Sequence, residues 1–124
     1  MKFYKCSICG QIIFKVKDTK IPVICCGKPM QEITPNTEDA SNEKHVPEII
    51  IEGNKVTVKI GEVDHPMEEK HYIEWILLST NKGNQRKELK PGQEPKAVFY
   101  IADDEKVEKA YELCNIHGLW IKSL

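Results

Sequence analysis

The residues of this chain that could bind a metal fall into two separate sets. One set is four cysteines close to the N-terminus, and the other joins all four histidines of the protein to its fifth cysteine. Four thiolates can close a tetrahedral site, whereas five donors leave the sixth position of an octahedron for a substrate. The second set therefore indicates redox chemistry.

The N-terminal set has the spacing C-x2-C-x15-C-C and consists of Cys6, Cys9, Cys25 and Cys26. A C-x-x-C turn brings two thiolates to one ion, and a glycine after it permits positive φ, so that backbone N–H groups can point at sulfur. Zinc is the commoner occupant of such spacings, iron is the next, and reactive thiols or disulfides are a third interpretation. Because two of the cysteines are adjacent, we expect a distorted tetrahedron.

The second set consists of residues near predicted strand ends: His45, His65, His71, Cys114 and His117. Each histidine alone is ordinarily a surface residue or a satisfied core residue. Metal sites, however, gather His and Cys at loop positions, so the joint pattern favours one shared site. Four imidazoles and a thiolate suit Fe(II), and the thiolate pushes electron density onto the iron.

Three charged residues near this set are candidates for supporting roles. Lys44 could attract an anion and hydrogen-bond to it, and Glu43 could occupy the open position of the oxidised site. Glu112, two residues before Cys114, could tune the thiolate. The alternative is that each is an ordinary solvated charge.

Short strand patterns separated by turns must position both sets. We predict strands at 3–5, 12–16, 46–51, 56–60, 73–78 and 97–101, whereas 107–113 fits a helix or a strand. We also expect His71 to open the strand at 73–78 and to share its apolar face with Ile73, Trp75 and Leu77. Many short strands with regular turns predict an antiparallel sandwich or barrel.

The bulk composition excludes several classes of function. The chain has 124 residues, 40% of them apolar and 30% charged, with a formal net charge of -1. No basic surplus favours nucleic acid as a partner, and no apolar run is long enough to span a membrane or to act as a signal peptide. We therefore predict a cytoplasmic location. The cysteine module is too small to bury much core, so a metal would supply its stability.

Four motifs in order resemble the desulfoferrodoxin family, the two-iron superoxide reductases. They are the C-x2-C-x15-C-C pattern, EKHVP at 43–47, HPMEEKH at 65–71 and CNIHG at 114–118. The resemblance covers essentially the whole chain and implies an all-β fold. It places a small desulforedoxin-like module at 1–36 and an immunoglobulin-like antiparallel β-sandwich at 37–124.

The resemblance also implies two iron ions per chain and assigns their ligands. Cys6, Cys9, Cys25 and Cys26 would bind one iron as a distorted FeS4 centre. The second iron would have four equatorial imidazoles and an axial thiolate, with further residues at its open side: His45, His65, His71, His117, Cys114, Glu43 and Lys44. Glu43 would be the sixth ligand of the ferric resting state, and Lys44 the charge beside superoxide.

The activity that the resemblance implies is one-electron reduction of superoxide to hydrogen peroxide without release of O2. It further implies a homodimer and a rubredoxin-like electron donor. Three alternatives stay open from the residues alone. They are an iron–sulfur electron-transfer protein, a structural zinc-binding protein and a superoxide dismutase that evolves O2.

Overall fold

Two separate units make up the chain, and each contains one of the two donor sets. The computed structural model describes residues 1–38, 45–61 and 65–124. The first unit is Met1–Thr34 and the second is Pro35–Leu124. Glu43 and Lys44 lie outside the described residues, so the expectations made for them are carried forward below as proposals.

The first unit is built from short strands around a very small core. Its strands are β1 (Phe3–Lys5), β2 (Ile12–Phe14), β3 (Ile24–Cys25), β4 (Lys28–Pro29) and β5 (Gln31–Ile33). Strands β2, β1 and β5 form an antiparallel sheet in that order, while β3 and β4 form a hairpin. Its buried apolar side chains include Phe3, whose ring meets the Phe14 ring edge-on at 6.1 Å, and Met30. This core is minimal, as expected for a module that depends on a metal.

The second unit is a sandwich of two antiparallel sheets. Its strands are β6 (Pro47–Glu52), β7 (Lys55–Ile60), β8 (Ile73–Thr80), β9 (Gly83–Glu88), β10 (Lys96–Tyr100), β11 (Val107–Cys114) and β12 (Gly118–Ser123). One sheet has the order β10-β7-β6 and the other has the order β12-β11-β8-β9. Of the seven strands of this unit, the first, second and fifth form one sheet and the other four form the second sheet. This is an immunoglobulin-type arrangement. The predicted all-β fold class is confirmed.

The local predictions are confirmed to within one or two residues at most strand ends. The strand predicted at 12–16 ends at Phe14, and the ambiguous segment 107–113 is a strand. A two-residue turn joins β6 to β7, with Gly53 at a φ of 63°. Residues 90–93 form a type II turn, in which Gly92 has a φ of 90° and Gln93 N donates to Lys90 O at 3.1 Å.

The core lies between the two sheets and is formed by alternating residues of the paired strands. It includes residues with little or no exposed surface from β7, β8, β10 and β11: Val56, Val58, Ile60, Ile73, Ile76, Leu78, Ala97, Phe99, Ala110 and Cys114. Cys114, a candidate ligand, is therefore also a core residue. A ligand in such a place has little freedom to move, because protein interiors are close-packed.

A β-bulge at the start of β8 overturns the prediction about the face of this strand. Cys114 pairs with Ile73, but the next residue back on β11 pairs with Trp75, so Glu74 is an extra residue. Ile73 consequently faces the core with Ile76 rather than with Trp75. His71 precedes the strand instead of opening it. The period-2 pattern could not show this, because a bulge shifts the alternation by one residue.

Within the described ranges, the structure contains no helix long and apolar enough to cross a membrane.

Candidate metal centres

The five donors of the second set come together at one end of the sandwich. One residue separates His45 from the start of β6, and one residue separates His71 from the start of β8. Cys114 ends β11, and His117 precedes β12. Because β11 pairs with both β8 and β12, these strand ends are neighbours. Gly118 makes the tight turn between Cys114 and His117 feasible with a φ of 83°.

The four imidazoles form a closed circuit in which each ring has two neighbours. The ring centroids are 4.6 Å apart for His45 and His65 and 4.8 Å for His65 and His71. The circuit closes through His117, at 5.1 Å from His71 and 5.0 Å from His45. Four rings in a circuit with similar distances between neighbours are the arrangement expected of ligands that surround one ion.

The thiol of Cys114 lies beside this circuit. Its sulfur is 3.8 Å from Nε2 of His65 and 3.9 Å from Nδ1 of His117. The same His117 nitrogen is 3.2 Å from Nε2 of His45. Two nitrogens at a right angle around an ion, with bonds of ~2.1 Å, would be about 3.0 Å apart. The donor atoms therefore have the spacing and the chemistry, four neutral imidazoles and a thiolate, that fit Fe(II).

Contacts outside the set orient the two buried imidazoles. Nδ1 of His65 donates a hydrogen bond to Pro66 O at 2.7 Å, so its Nε2 is left to bind an ion. His45 stacks on Trp120, with centroids 4.6 Å apart and an angle of 12° between the planes. The Trp120 indole N–H in turn donates to His117 O at 3.1 Å. Trp120 thus positions two of the imidazoles.

Burial differs across the set and leaves one side open to solvent. His45, His65 and Cys114 are almost completely buried. His71 is half-buried, and His117 is exposed. A small substrate could therefore approach from the side of His117 and His71, while the thiolate stays inside the protein.

Glu112 lies in the core-facing row of β11, although it is a charged residue. It is fully buried, and its neighbours in this row are Ala110 and Cys114. Its Oε1 lies 3.6 Å from Nδ1 of His45. The alternative that Glu112 is an ordinary exposed charge is therefore wrong. A carboxylate beside an imidazole is the carboxylate–histidine pairing that orients metal ligands.

Asn115 links the loop of His71 to the turn of His117. No role for Asn115 was predicted from the sequence. Its Oδ1 accepts from Tyr72 N at 3.0 Å, and its Nδ2 donates to Lys70 O at 3.0 Å. Its own backbone N–H donates to Tyr72 O at 3.2 Å. These three bonds surround His71 in the chain, so Asn115 fixes the His71 loop against the turn that follows Cys114. The sequence gives one indication of this role, because the Asn115 side-chain amide directly follows the candidate ligand Cys114.

The four cysteines of the first unit also converge. Their sulfurs lie within 4.8 Å of one another, and those of Cys9 and Cys25 are 3.6 Å apart. Two sulfurs of a tetrahedral ion with bonds of ~2.3 Å would be separated by about 3.8 Å. Cys26 has a φ of 53°, a left-handed conformation that is uncommon outside glycine. The left-handed backbone of Cys26 thus allows both Cys25 and Cys26, which are adjacent in the chain, to join the cluster.

The thiols of this cluster differ in how easily they ionise. The backbone N–H groups of Cys9 and Ile8 point at the sulfur of Cys6 and lower its pKa to about 6. Hydrogen bonds to Cys6 and Cys9 raise the pKa of Cys25 to about 12, and contacts with Cys9 and Cys6 raise the pKa of Cys26. The four cysteines form no disulfide. Further thiolates are disfavoured without a cation, which fits a site for zinc or iron.

A seven-stranded sandwich with an imidazole–thiolate set at one end, preceded by a four-cysteine module, defines a non-haem metalloprotein with two centres. The model of the desulfoferrodoxin family matches residues 37–123, and the model of its N-terminal domain matches residues 1–33. The chain therefore belongs to the desulfoferrodoxin family.

Individual relatives agree over nearly the full length. A desulfoferrodoxin homolog from Archaeoglobus fulgidus is 52% identical over 97% of this chain and 94% of its own. A desulfoferrodoxin from Nitratidesulfovibrio vulgaris is 44% identical over 96% of this chain and 93% of its own. The crystal structure of the superoxide reductase from Treponema pallidum superposes with a TM-score of 0.83 at 33% identity, covering 98% of this chain and 97% of that one.

Metal binding by the four-cysteine site should be proton-coupled. The ion must displace the thiol protons of Cys25 and Cys26, whose pKa values are raised, so affinity should rise with pH and fall as pH falls. Each released proton corresponds to about a tenfold loss of Zn2+ affinity per unit decrease in pH, so the loss should be at least about 100-fold. Calorimetry of Zn2+ binding to metal-free protein, repeated in buffers of different ionisation enthalpy, would count these protons. A count near zero would contradict the expectation.

Replacing Asn115 should loosen the second site without unfolding the sandwich. Asn115→Ala removes both side-chain bonds to the His71 loop, and loss of such outer contacts typically lowers metal affinity about 10–100-fold. Competition with a chelator would measure the affinity. Asn84→Ala, on the exposed strand β9, is the matched control and should leave it unchanged. Equal affinities in the two variants would exclude this role for Asn115.

Proposed function

We propose that this chain is a superoxide reductase, which converts superoxide to hydrogen peroxide by one-electron reduction without releasing O2. The observation that carries the proposal is the convergence of four imidazoles and one buried thiol at a side open to water. The Treponema pallidum protein, which is named a superoxide reductase, supports it by its likeness over nearly the whole chain.

The proposed ligands of the catalytic ion are His45, His65, His71, Cys114 and His117. Iron bound there in the ferrous state would supply one electron to superoxide, which takes up two protons to give hydrogen peroxide. Cys114 would donate electron density from the buried side, while Trp120 and Glu112 keep His45 in place. The exposed edge at His117 would admit both the anion and the water that supplies its protons.

Glu43 and Lys44 complete the proposal, although both lie outside the described residues. Lys44 is the neighbour of His45 in the chain, which is one of the proposed ligands. We assign it the attraction of superoxide, and we assign Glu43 the sixth ligand position of the oxidised ion. Residues 1–36 would form the FeS4 module and residues 37–124 the reductase domain, with two iron ions per chain.

The remaining parts of the proposal concern partners and location. A rubredoxin-like carrier would return the electron, and the protein would act as a homodimer in the cytoplasm. The support is the family membership, together with cysteines that form two donor clusters rather than disulfides.

The reaction products distinguish this function from its rivals. Iron-loaded protein mixed with a known amount of superoxide should yield one hydrogen peroxide per superoxide and no O2 while electrons last. His71→Ala should abolish the reaction, whereas Cys9→Ser should retain it. One O2 per two superoxide would identify a dismutase. Loss of activity only in Cys9→Ser would identify a carrier, and two zinc ions with no reaction would identify a structural zinc protein.

Lys44→Ala should slow the encounter with superoxide. Removing a positive charge beside the site should lower the second-order rate constant about tenfold at low salt and flatten its dependence on ionic strength. Pulse radiolysis at several salt concentrations would measure both. Lys55→Ala is a control with the same change in charge at an exposed position of β7. Identical salt dependence in the two variants would remove Lys44 from this role.

A further inference from the structure

Trp120 lies against two of the candidate ligands of the second unit, although it belongs to neither donor set. Its ring is stacked face to face on the His45 imidazole, with centroids 4.6 Å apart and an angle of 12° between the planes. Its indole N–H donates to His117 O at 3.1 Å. Nε2 of His45 and Nδ1 of His117 are 3.2 Å apart. One side chain thus contacts two neighbouring ligands of the same site.

The backbone of Trp120 is fixed from both edges of β12. On one edge Trp120 pairs with Glu112 of β11. On the other edge it is enclosed by two bonds, from Asn36 N to Leu119 O at 2.9 Å and from Ile121 N to Asn36 O at 3.0 Å. Its side chain is only 7% exposed. A large ring in such a place has little freedom to turn, so it is a rigid support for whatever packs against it.

His45, in contrast, precedes β6 and lies outside the regular strands, so distant contacts orient it. Trp120 covers one face of its ring, and Oε1 of Glu112 lies 3.6 Å from Nδ1 at its edge. Glu112 and Trp120 are direct partners across β11 and β12. Side chains of such cross-strand partners are neighbours on one face of a sheet. The pair therefore holds the same imidazole by its face and by its edge.

The stacking also has an electronic consequence for an ion bound by His45. An imidazole that donates a lone pair to a cation takes on part of the positive charge of that cation. The face of an indole is the negative part of its quadrupole and attracts positive charge, and the attraction is larger where water is excluded. Both His45 and Trp120 are almost completely buried. The attraction therefore grows with the charge of the bound ion.

We propose that Trp120 is a positioning residue that also lowers the reduction potential of the second metal centre, acting through the ring of His45. The proposal rests on the proposed function and deepens it. When ferrous iron gives one electron to superoxide, its charge rises by one, and the indole stabilises the more highly charged ferric state. Trp120 itself gains and loses neither electron nor proton. It makes the site a better electron donor.

A role in packing alone predicts a different response to the electron density of the indole. Fluorine atoms on the ring withdraw electron density from its face and change its shape little, so they weaken attraction for a cation without removing the stack. If Trp120 only filled space beside His45, fluorination would leave the potential unaltered. The chain has two tryptophans, Trp75 and Trp120. Replacing either one by phenylalanine therefore restricts a fluorinated tryptophan to the other position.

The test uses full-length, iron-loaded Trp75→Phe protein that carries tryptophan, a monofluorinated tryptophan or a trifluorinated tryptophan at position 120. Spectroelectrochemical titration at the thiolate-to-iron absorption band would measure the reduction potential of the second site in the absence of superoxide. The matched control is Trp120→Phe protein with the same three amino acids, in which only position 75 of β8 is labelled.

The potential should rise with each step of fluorination in the Trp75→Phe series and stay constant in the Trp120→Phe series. Removing the ring in Trp120→Leu should shift the equilibrium about tenfold toward the reduced state, which is about 59 mV for a one-electron couple. Equal potentials throughout the Trp75→Phe series would overturn the proposal. That series decides the matter even if Trp120→Leu does not fold, because fluorination keeps the shape of the side chain.

The positioning part is tested with Co2+, which needs no change of oxidation state. Trp120→Phe keeps a ring against His45 but loses the N–H that bonds to His117 O, and Trp120→Leu loses both contacts. Competition with a chelator should show that affinity at the second site falls about tenfold in Trp120→Phe and up to about 100-fold in Trp120→Leu. Trp75→Leu is the control and should keep its affinity. Unchanged affinity in both Trp120 variants would overturn the positioning role.

The reaction with superoxide is recorded separately on the same preparations. If superoxide is not consumed while the potential still follows fluorination, the proposed function fails and the role of Trp120 stands. If superoxide is consumed but the potential is independent of fluorination, the proposed function stands and the role of Trp120 in setting the potential is wrong.

Discussion

Pairing of β11 on both sides is the constraint on which the second metal centre depends. Its last residue, Cys114, is hydrogen-bonded into a sheet between β8 and β12, and its side chain is part of the close-packed core. A donor held this way cannot adapt its position to an ion. The histidines must be brought to it, and each of them lies outside a regular strand, where the backbone can be shaped to fit.

A metal ion at this site would explain why the carboxylate of Glu112 is buried. An ionised carboxylate in an apolar core is costly unless an opposite charge compensates it. A divalent ion with one thiolate ligand leaves a single positive charge, which Glu112 would balance through His45 at 3.6 Å. The same residue would thus balance the charge of the site and help to orient His45.

The sequence allowed the metal-binding residues to be predicted better than the contacts that support them. Cys6 and Cys9 are three residues apart, and so are Cys114 and His117, so short-range geometry alone brings each pair together. The contact between His45 and His65 depends instead on strand register. Only the joint pattern of His and Cys residues predicted that these two histidines share a site. The resemblance to a family added the expected arrangement of these donors, with an axial thiolate and equatorial imidazoles.

Other features could not be predicted because they arise from pairing between distant strands. The bulge at Glu74 shifts the alternation of β8, and nothing in the local pattern marks it. Likewise, segment 107–113 has helical spacing, yet β8 and β12 on either side make it a strand. Asn115 looked like a turn residue until its partners at Lys70 and Tyr72 were visible. Tertiary context decides each of these cases.

Trp120 serves two segments that are joined to each other in sequence. Asn36 forms a bridge to it on the edge of β12, and the ring of His45 stacks on its indole. The two ends of the connection from residue 36 to residue 45 therefore both contact Trp120. Closure entropy grows slowly with length, by about 0.6 kcal/mol for each doubling. Insertions in this connection would thus cost the fold little, whereas a change of the Trp120 side chain would remove the stacking at the His45 end and leave the backbone bonds of Asn36 in place.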